Sequence, residues 1–246
     1  MRAILTFHSI DNKGSVISYP PDAFKKLLAS LSRKNIPIVD LDTLIKPDTK
    51  SGVALTFDDG MQSVFKHAMP VIKDHNACAH VYVTTSAVNN DNPWPKQPTD
   101  IPSFKMLTWD EMAEMYKNNI YTENHTHTHP NFRQLTLQQM QDECGKSDDI
   151  IEAHLGRRPK HFAYPFGYHN TVARNFARDR YTTTVTTELK PFSNSSDLAA
   201  IPRLDSYYLQ SDWFIHNIDS LLVKGYLSLR NKLRNIKGSQ NKADCK

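Results

Sequence analysis

The chain has 246 residues, 39% hydrophobic and 23% charged, with a formal net charge of +4 at neutral pH. This suits one large α/β domain, and no run of about 18 apolar residues is present to span a bilayer. Three scattered cysteines, Cys78, Cys144 and Cys245, form no CxxC pair and read as reduced thiols, which excludes a disulfide-stapled fold.

In chain order, Ile4-Leu5-Thr6-Phe7 predicts a short buried strand ending at His8. This opening is too short in apolar length for a signal peptide, so a cytoplasmic location is expected. A helix over 23–33, capped by Asp22, would put Phe24, Leu27, Leu28 and Leu31 on one face. Strands follow at 36–41 and 53–57, then a helix over 63–74 and a strand over 79–84. The Asn- and Pro-rich stretch 89–103 is a loop by composition. Thr108 caps a helix to 117, residues 120–122 lead as a strand into His125, and Thr136 caps a long helix to 154. A strand at 161–164, a helix at 170–178, a strand at 181–187 and a helical segment over 211–236 complete the pattern. Such alternation predicts parallel strands with helices outside, as an open sheet or a barrel, with functional residues at the C-terminal strand ends.

Two segments there carry chemistry. Ala54-Leu55-Thr56-Phe57-Asp58-Asp59-Gly60 ends an apolar strand in paired aspartates, and His125-Thr126-His127-Thr128-His129 places two histidines four residues apart. Asp-Asp-Gly is also an ordinary turn sequence, and a lone histidine is usually structural. Three histidines in five residues beside a strand-end carboxylate pair are less ordinary. One Asp with two His leaves metal positions open for water and substrate, the mark of a catalytic site. His127 is read as a supporting or surface residue.

These segments resemble the first two motifs of the polysaccharide deacetylases (the NodB-homology, carbohydrate esterase 4 family), over roughly residues 3–205. The resemblance implies a distorted (β/α) barrel of about seven strands. It implies a divalent metal, Zn²⁺ or alternatively Co²⁺ or Ni²⁺, held by Asp59, His125 and His129, with Asp58 as general base and Thr126 orienting the metal loop. Phe162-Ala163-Tyr164-Pro165-Phe166-Gly167 resembles the third motif, where Tyr164 and Phe166 would line the groove and the Phe166 N–H would hold an oxyanion.

The sequence departs from the pattern in three places. Ala163 stands where an arginine usually steadies the base, and Arg203 is the candidate replacement. Glu123 stands where glycine is common, which puts the local backbone in question. No apolar strand ending in histidine lies near the C-terminus. The chain instead opens with one, similar to a circularly permuted, poly-N-acetylglucosamine deacetylase-like subgroup, which makes His8 the expected general acid.

An N-acetylated glycan or lipid-linked sugar is the expected partner, with Tyr168, Phe166, Trp94 and Trp109 as aromatics suited to sugar faces. Cleavage of O-acetyl esters or cyclic amides, and a non-catalytic glycan-binding role, are the competing readings. The catalytic domain is drawn over 1–208 and a basic amphipathic helix and tail over 209–246. Leu222, Tyr226, Leu229, Leu233 and Ile236 fall at helical spacing among Lys224, Arg230, Lys232, Arg234 and Lys237. Such a stripe docks on the barrel or lies on an anionic membrane at its inner face. Nothing interleaves aromatic and basic residues as a nucleic-acid module would.

Overall fold

The computed structural model describes residues 1–91 and 102–243, with side chains through residue 234. Segments whose side chains are buried on both faces become its central strands, as parallel sheets require. Gly52–Phe57 and Ala79–Val83, for example, are buried at every position. In chain order the barrel strands are β1 (Arg2–Phe7), β2 (Gly52–Phe57), β3 (Ala79–Val83), β4 (Ile120–Asn124), β5 (His161–Ala163), β6 (Thr183–Leu189) and β7 (Ile201–Asp205). Every neighbouring pair is parallel, and β1 closes the barrel against β7 through Leu5↔Leu204 and Thr6↔Asp205. Pairing is uneven: β1 and β2 match from Arg2↔Gly52 to Phe7↔Phe57, whereas β4 and β5 share only Asn124↔Phe162. This is the distorted (β/α) barrel of seven strands that the sequence implied.

The outer helices are α1 (Pro21–Arg33), α2 (Met69–Asp74), α3 (Trp109–Lys117), α4 (Leu137–Leu155), α5 (Thr171–Arg180) and α6 (Leu221–Ala243). Capping boxes start α3 at Thr108 with Glu111 and α4 at Thr136 with Gln139, as the sequence suggested. α1 buries Phe24, Leu27, Leu28 and Leu31, but Asp22 lies inside its first turn and Pro20 holds the cap position.

Two expected elements are corrected. Residues 36–41 form no strand: Ile38 makes a single bridge to Val53, after which the Asp40 carboxylate accepts the Thr43 N–H at 2.7 Å and starts a one-turn helix, Leu41–Leu44. Leu41 and Leu44 then fill the N-terminal mouth of the barrel, packed with Ile4, Ala54, Tyr82, Ala163, Val185 and Ile201. The remaining strand is β7. The final helical segment divides into Asp212–His216 and α6, and Leu209, Ile215, Ile218, Val223 and Leu227 of this region are buried in the same apolar cluster as β1 and α1.

Candidate active site

Strand β2 delivers Asp58 to the C-terminal mouth. Its N–H donates to the Phe7 carbonyl at 2.9 Å, so the residues after β1 and β2, His8 and Asp58, emerge side by side. The chain then turns sharply, with Asp59 at φ +70° and Gly60 at φ +82°, which separates the two carboxylates. The histidine loop curls in the same way. Asn124 Oδ1 accepts the Thr126 N–H at 2.6 Å, and Thr126 Oγ1 accepts the His129 N–H at 2.9 Å. Thr126 thus ties the turn between His125 and His129. Among the described residues, the non-glycine residues in the left-handed region are four asparagines (Asn35, Asn76, Asn89, Asn119) and Asp59, Thr126, His129 and Phe166. Asparagine, aspartate and histidine adopt that conformation more readily than most residues, whereas for β-branched Thr126 and bulky Phe166 it is strain of about 1–3 kcal/mol each that the surrounding fold must hold.

These turns bring three ligand atoms together. Asp59 Oδ1 lies 3.4 Å from His125 Nε2 and 3.5 Å from His129 Nε2, and the two Nε2 atoms are 3.2 Å apart. Ligands bound to a tetrahedral divalent ion at about 2.0–2.1 Å sit roughly 3.3 Å from one another, so this donor set fits such an ion. His125 Nδ1 donates to the Ala163 carbonyl at 2.8 Å, which leaves the Nε2 lone pair facing Asp59. Burial, with the charge of His125, pushes His129 down to about 3, so its imidazole is neutral, the form that ligates.

Arg203, on β7, is 1% exposed and grips Asp58 with both nitrogens: Nη1 to Oδ1 at 2.7 Å and Nη2 to Oδ2 at 2.6 Å. Its Nε donates to the Thr186 carbonyl at 2.9 Å, and Nη1 also to Thr56 Oγ1 at 3.1 Å. The cation missing at Ala163 is therefore supplied from another strand. Burial alone would raise the Asp58 carboxyl, but the Arg203 guanidinium outweighs it and holds the group below its usual range. Asp59 is likewise held low against burial, chiefly through its contact with His125.

Beyond β5, the turn Pro165–Gly167 places the Phe166 ring, half exposed, 4.5 Å from the His129 ring. Gly167 has φ +70°, and a Cβ there would meet Thr187 Oγ1 at 2.2 Å, so only glycine lets the turn lie on β6. Tyr168 is 42% exposed, with its ring 5.8 Å from Phe166 and the Arg133 guanidinium 4.7 Å above it. Tyr164 is a correction. It is 1% exposed, and its hydroxyl donates to the Ala173 and Ala199 carbonyls, so its side chain packs the barrel wall and does not face a groove. Trp109 stacks on His154 at 4.2 Å, and Trp94 lies outside the described residues. His127 bonds Thr85 Oγ1 at 2.9 Å, away from the ligand atoms.

A second buried cluster was not visible in the sequence: His80, Glu123 and His161 inside the barrel. The Glu123 carboxylate accepts from Arg157 Nη2 at 2.7 Å, the Lys160 N–H at 2.8 Å and the His161 N–H at 3.0 Å. Glu123 leaves β4 continuous, and its pairing with Tyr82 is regular, which answers the doubt raised by the missing glycine. The one signal available was that substitution itself, a charged residue at a strand position next to a metal loop.

A model of the polysaccharide deacetylase family matches residues 45–185. The chain is 26% identical over 208 residues to YxkH of Bacillus subtilis (strain 168), which carries a provisional polysaccharide deacetylase name, covering 82% of this chain and 70% of that protein. It is 22% identical over 169 residues to the poly-beta-1,6-N-acetyl-D-glucosamine N-deacetylase of Staphylococcus aureus (strain MRSA252), covering 65% of this chain and 53% of the relative. The chain thus spans about half the length of that staphylococcal relative. Among solved structures it resembles IcaB from Ammonifex degensii (TM-score 0.72, 20% identity, 88% of this chain and 98% of that one). It also resembles the Streptococcus pyogenes deacetylase PplD in complex with acetate (TM-score 0.71, 24% identity, 83% and 91% covered). These likenesses agree on the fold.

Proposed function

Since this chain belongs to the polysaccharide deacetylase family, we propose that it is a metal-dependent hydrolase removing N-acetyl groups from an amino sugar of a glycan or lipid-linked sugar, a linear amide substrate. The observation that carries the reading is the convergence of Asp59, His125 and His129 at 3.2–3.5 Å beside a carboxylate clamped by Arg203. Asp59, His125 and His129 would hold the ion, Zn²⁺ or another divalent metal such as Co²⁺ or Ni²⁺. When bound, such an ion polarises the amide carbonyl and acidifies a water.

The protein's own groups divide the remaining work. Asp58, ionised and fixed by Arg203, takes the proton from the attacking water. Its lowered pKa makes it a weak base, so its value lies in orientation and in staying deprotonated. The backbone N–H of Phe166 stabilises the oxyanion, and His8 gives a proton to the departing amine. Phe166, exposed beside His129, and its exposed neighbour Tyr168 form the sugar-facing wall, with Arg133 backing Tyr168. A place at the inner face of the membrane is part of this reading.

The test is metal analysis of the purified protein with acetate release from N-acetylglucosamine oligomers, with and without chelator, against O-acetyl esters and cyclic amides. Chelator-sensitive acetate release from the oligomers is expected. Metal-free protein that binds oligomers without releasing acetate would make it a glycan-binding relative. Activity confined to esters or cyclic amides would move the substrate class. His8→Ala should lower kcat by about 10²-fold or more with metal content unchanged. Unchanged turnover in that variant removes His8 from the mechanism.

A further inference from the structure

Helix α6 carries two apolar faces, and only one is used by the fold. Val223 and Leu227 are buried against the barrel. Leu221, Leu222, Leu229 and Leu233 are 82%, 71%, 57% and 45% exposed. Leu222, Leu229 and Leu233 recur at spacings of seven and four, so they form one stripe. The stripe is widened by aromatics: Trp213, 51% exposed, has its ring 5.1 Å from Phe214, which lies 4.7 Å from Tyr226 on α6.

Within the helix itself the charge has one sign, and the nearby Asp212 and Asp219 are paired with Lys26 and Lys34. The helix from Leu221 to Ala243 contains Lys224, Arg230, Lys232, Arg234, Lys237 and Lys242 and no aspartate or glutamate. Lys232 is exposed on the flank of the leucine stripe. Arg234 reaches Asp205 Oδ2 at 3.3 Å, at the C-terminal end of β7 two residues beyond Arg203, so the helix runs past the catalytic end of the barrel.

We propose that this face of α6 docks on an anionic lipid bilayer, with the leucines and Trp213 entering the acyl boundary and the lysines meeting lipid phosphates. Leucines with an interfacial tryptophan, under an acid-free row of cations, are the chemistry that such a surface selects. A second copy fits worse, because a two-fold contact would bring the same cations together. A nucleic acid would leave the leucine stripe unexplained. The proposal goes beyond the catalytic reading, and its test does not use activity as the readout.

The full chain is sedimented with vesicles of phosphatidylcholine alone or of phosphatidylcholine with phosphatidylglycerol, at low and high salt, with light scattering in parallel. Binding to the anionic vesicles should exceed binding to neutral ones by roughly tenfold and fall at high salt. Leu222→Glu with Leu229→Glu should abolish it, and Lys232→Glu should weaken it. All three positions are exposed, so both variants should fold and release acetate from soluble oligomers as the parent does. Equal binding to both vesicles, no binding to either, or a dimer that the leucine variant dissociates would overturn the proposal.

Discussion

The barrel holds two buried clusters of histidine and carboxylate, and they differ in where their lone pairs go. At the C-terminal mouth, Asp59, His125 and His129 face one another at 3.2–3.5 Å, and the second ring nitrogen of His125 is tied to a carbonyl. At the lower cluster the Leu41 N–H donates to His80 Nε2, so His80 carries its proton on Nδ1 and turns it toward Glu123 at 3.4 Å. His161 Nδ1 is bonded to Thr183 Oγ1 at 2.8 Å, and both Glu123 oxygens already accept N–H donors. The residue types are nearly the same in the two clusters. One set of lone pairs converges on a point and the other is spent on protein donors, so the first can ligate and the second ties the plug and strands together. The backbone agrees: Asp59, Thr126 and His129 are left-handed at the first, whereas no residue of the second is.

The largest test of this contrast is Asp59→Ala set against Glu123→Gln. The first should strip the metal and lower acetate release by about 10³-fold or more; the second should leave metal content unchanged. A Glu123→Gln protein that loses metal would break the distinction. Next, Arg203→Ala leaves Asp58 buried and unpaired, which should destabilise the fold by about 3–5 kcal/mol and raise the pH at which the acid limb of kcat/KM falls. A variant as stable as the parent, with an unshifted limb, would show that the clamp has neither role.

Glu123→Gln should itself destabilise by about 2–4 kcal/mol, read as a Tm lower by roughly 10 °C, because it puts an amide where Arg157 and two backbone N–H groups need an anion. Unchanged Tm would deny the cluster its anchoring part. The smallest effect concerns pH. Burial pushes His161 down from 6.5 to about 4, so the unfolded chain takes up a proton there that the folded one refuses. Stability from this group is full above about 6.5 and declines as pH falls toward 4. Burial would raise Glu123, but the His80 hydrogen bond and the charges of His161, His80 and Arg157 hold it at about 2, which adds a second loss as pH falls from 4.5 toward 2. His161→Asn should flatten the slope of Tm between pH 6.5 and 4 by a few degrees relative to the parent; parallel profiles would reject the assignment.

The sequence disclosed the upper cluster because its parts are contiguous: Asp58 and Asp59 adjoin, and His125 and His129 lie on one loop. Arg203 was reachable because the vacancy at Ala163 called for a cation elsewhere. The lower cluster was hidden because His80, Glu123 and His161 stand on three strands and meet only when the barrel closes. β7 was missed because Pro202 at its second position weakens the strand pattern, although the start of a strand tolerates proline. The expected strand at 36–41 failed because the Asp40 carboxylate caps a helical turn there, and periodicity alone did not weigh that bond. Tyr164 was assigned to the groove by its place in the motif. Its two hydroxyl bonds to backbone carbonyls lie on segments that no local pattern joins to it.

The closure of β1 against β7 also sets a timetable for synthesis. β1 leaves the ribosome first of the seven strands, and its second neighbour is the last to emerge. Asp58 must wait for a partner 145 residues further along the chain. Until Arg203 arrives the Asp58 carboxylate has no counter-ion and the barrel has two open edges. For most of its translation the nascent chain therefore carries Asp58 without its guanidinium partner, and a ribosome stalled before residue 203 would hold a barrel that cannot close.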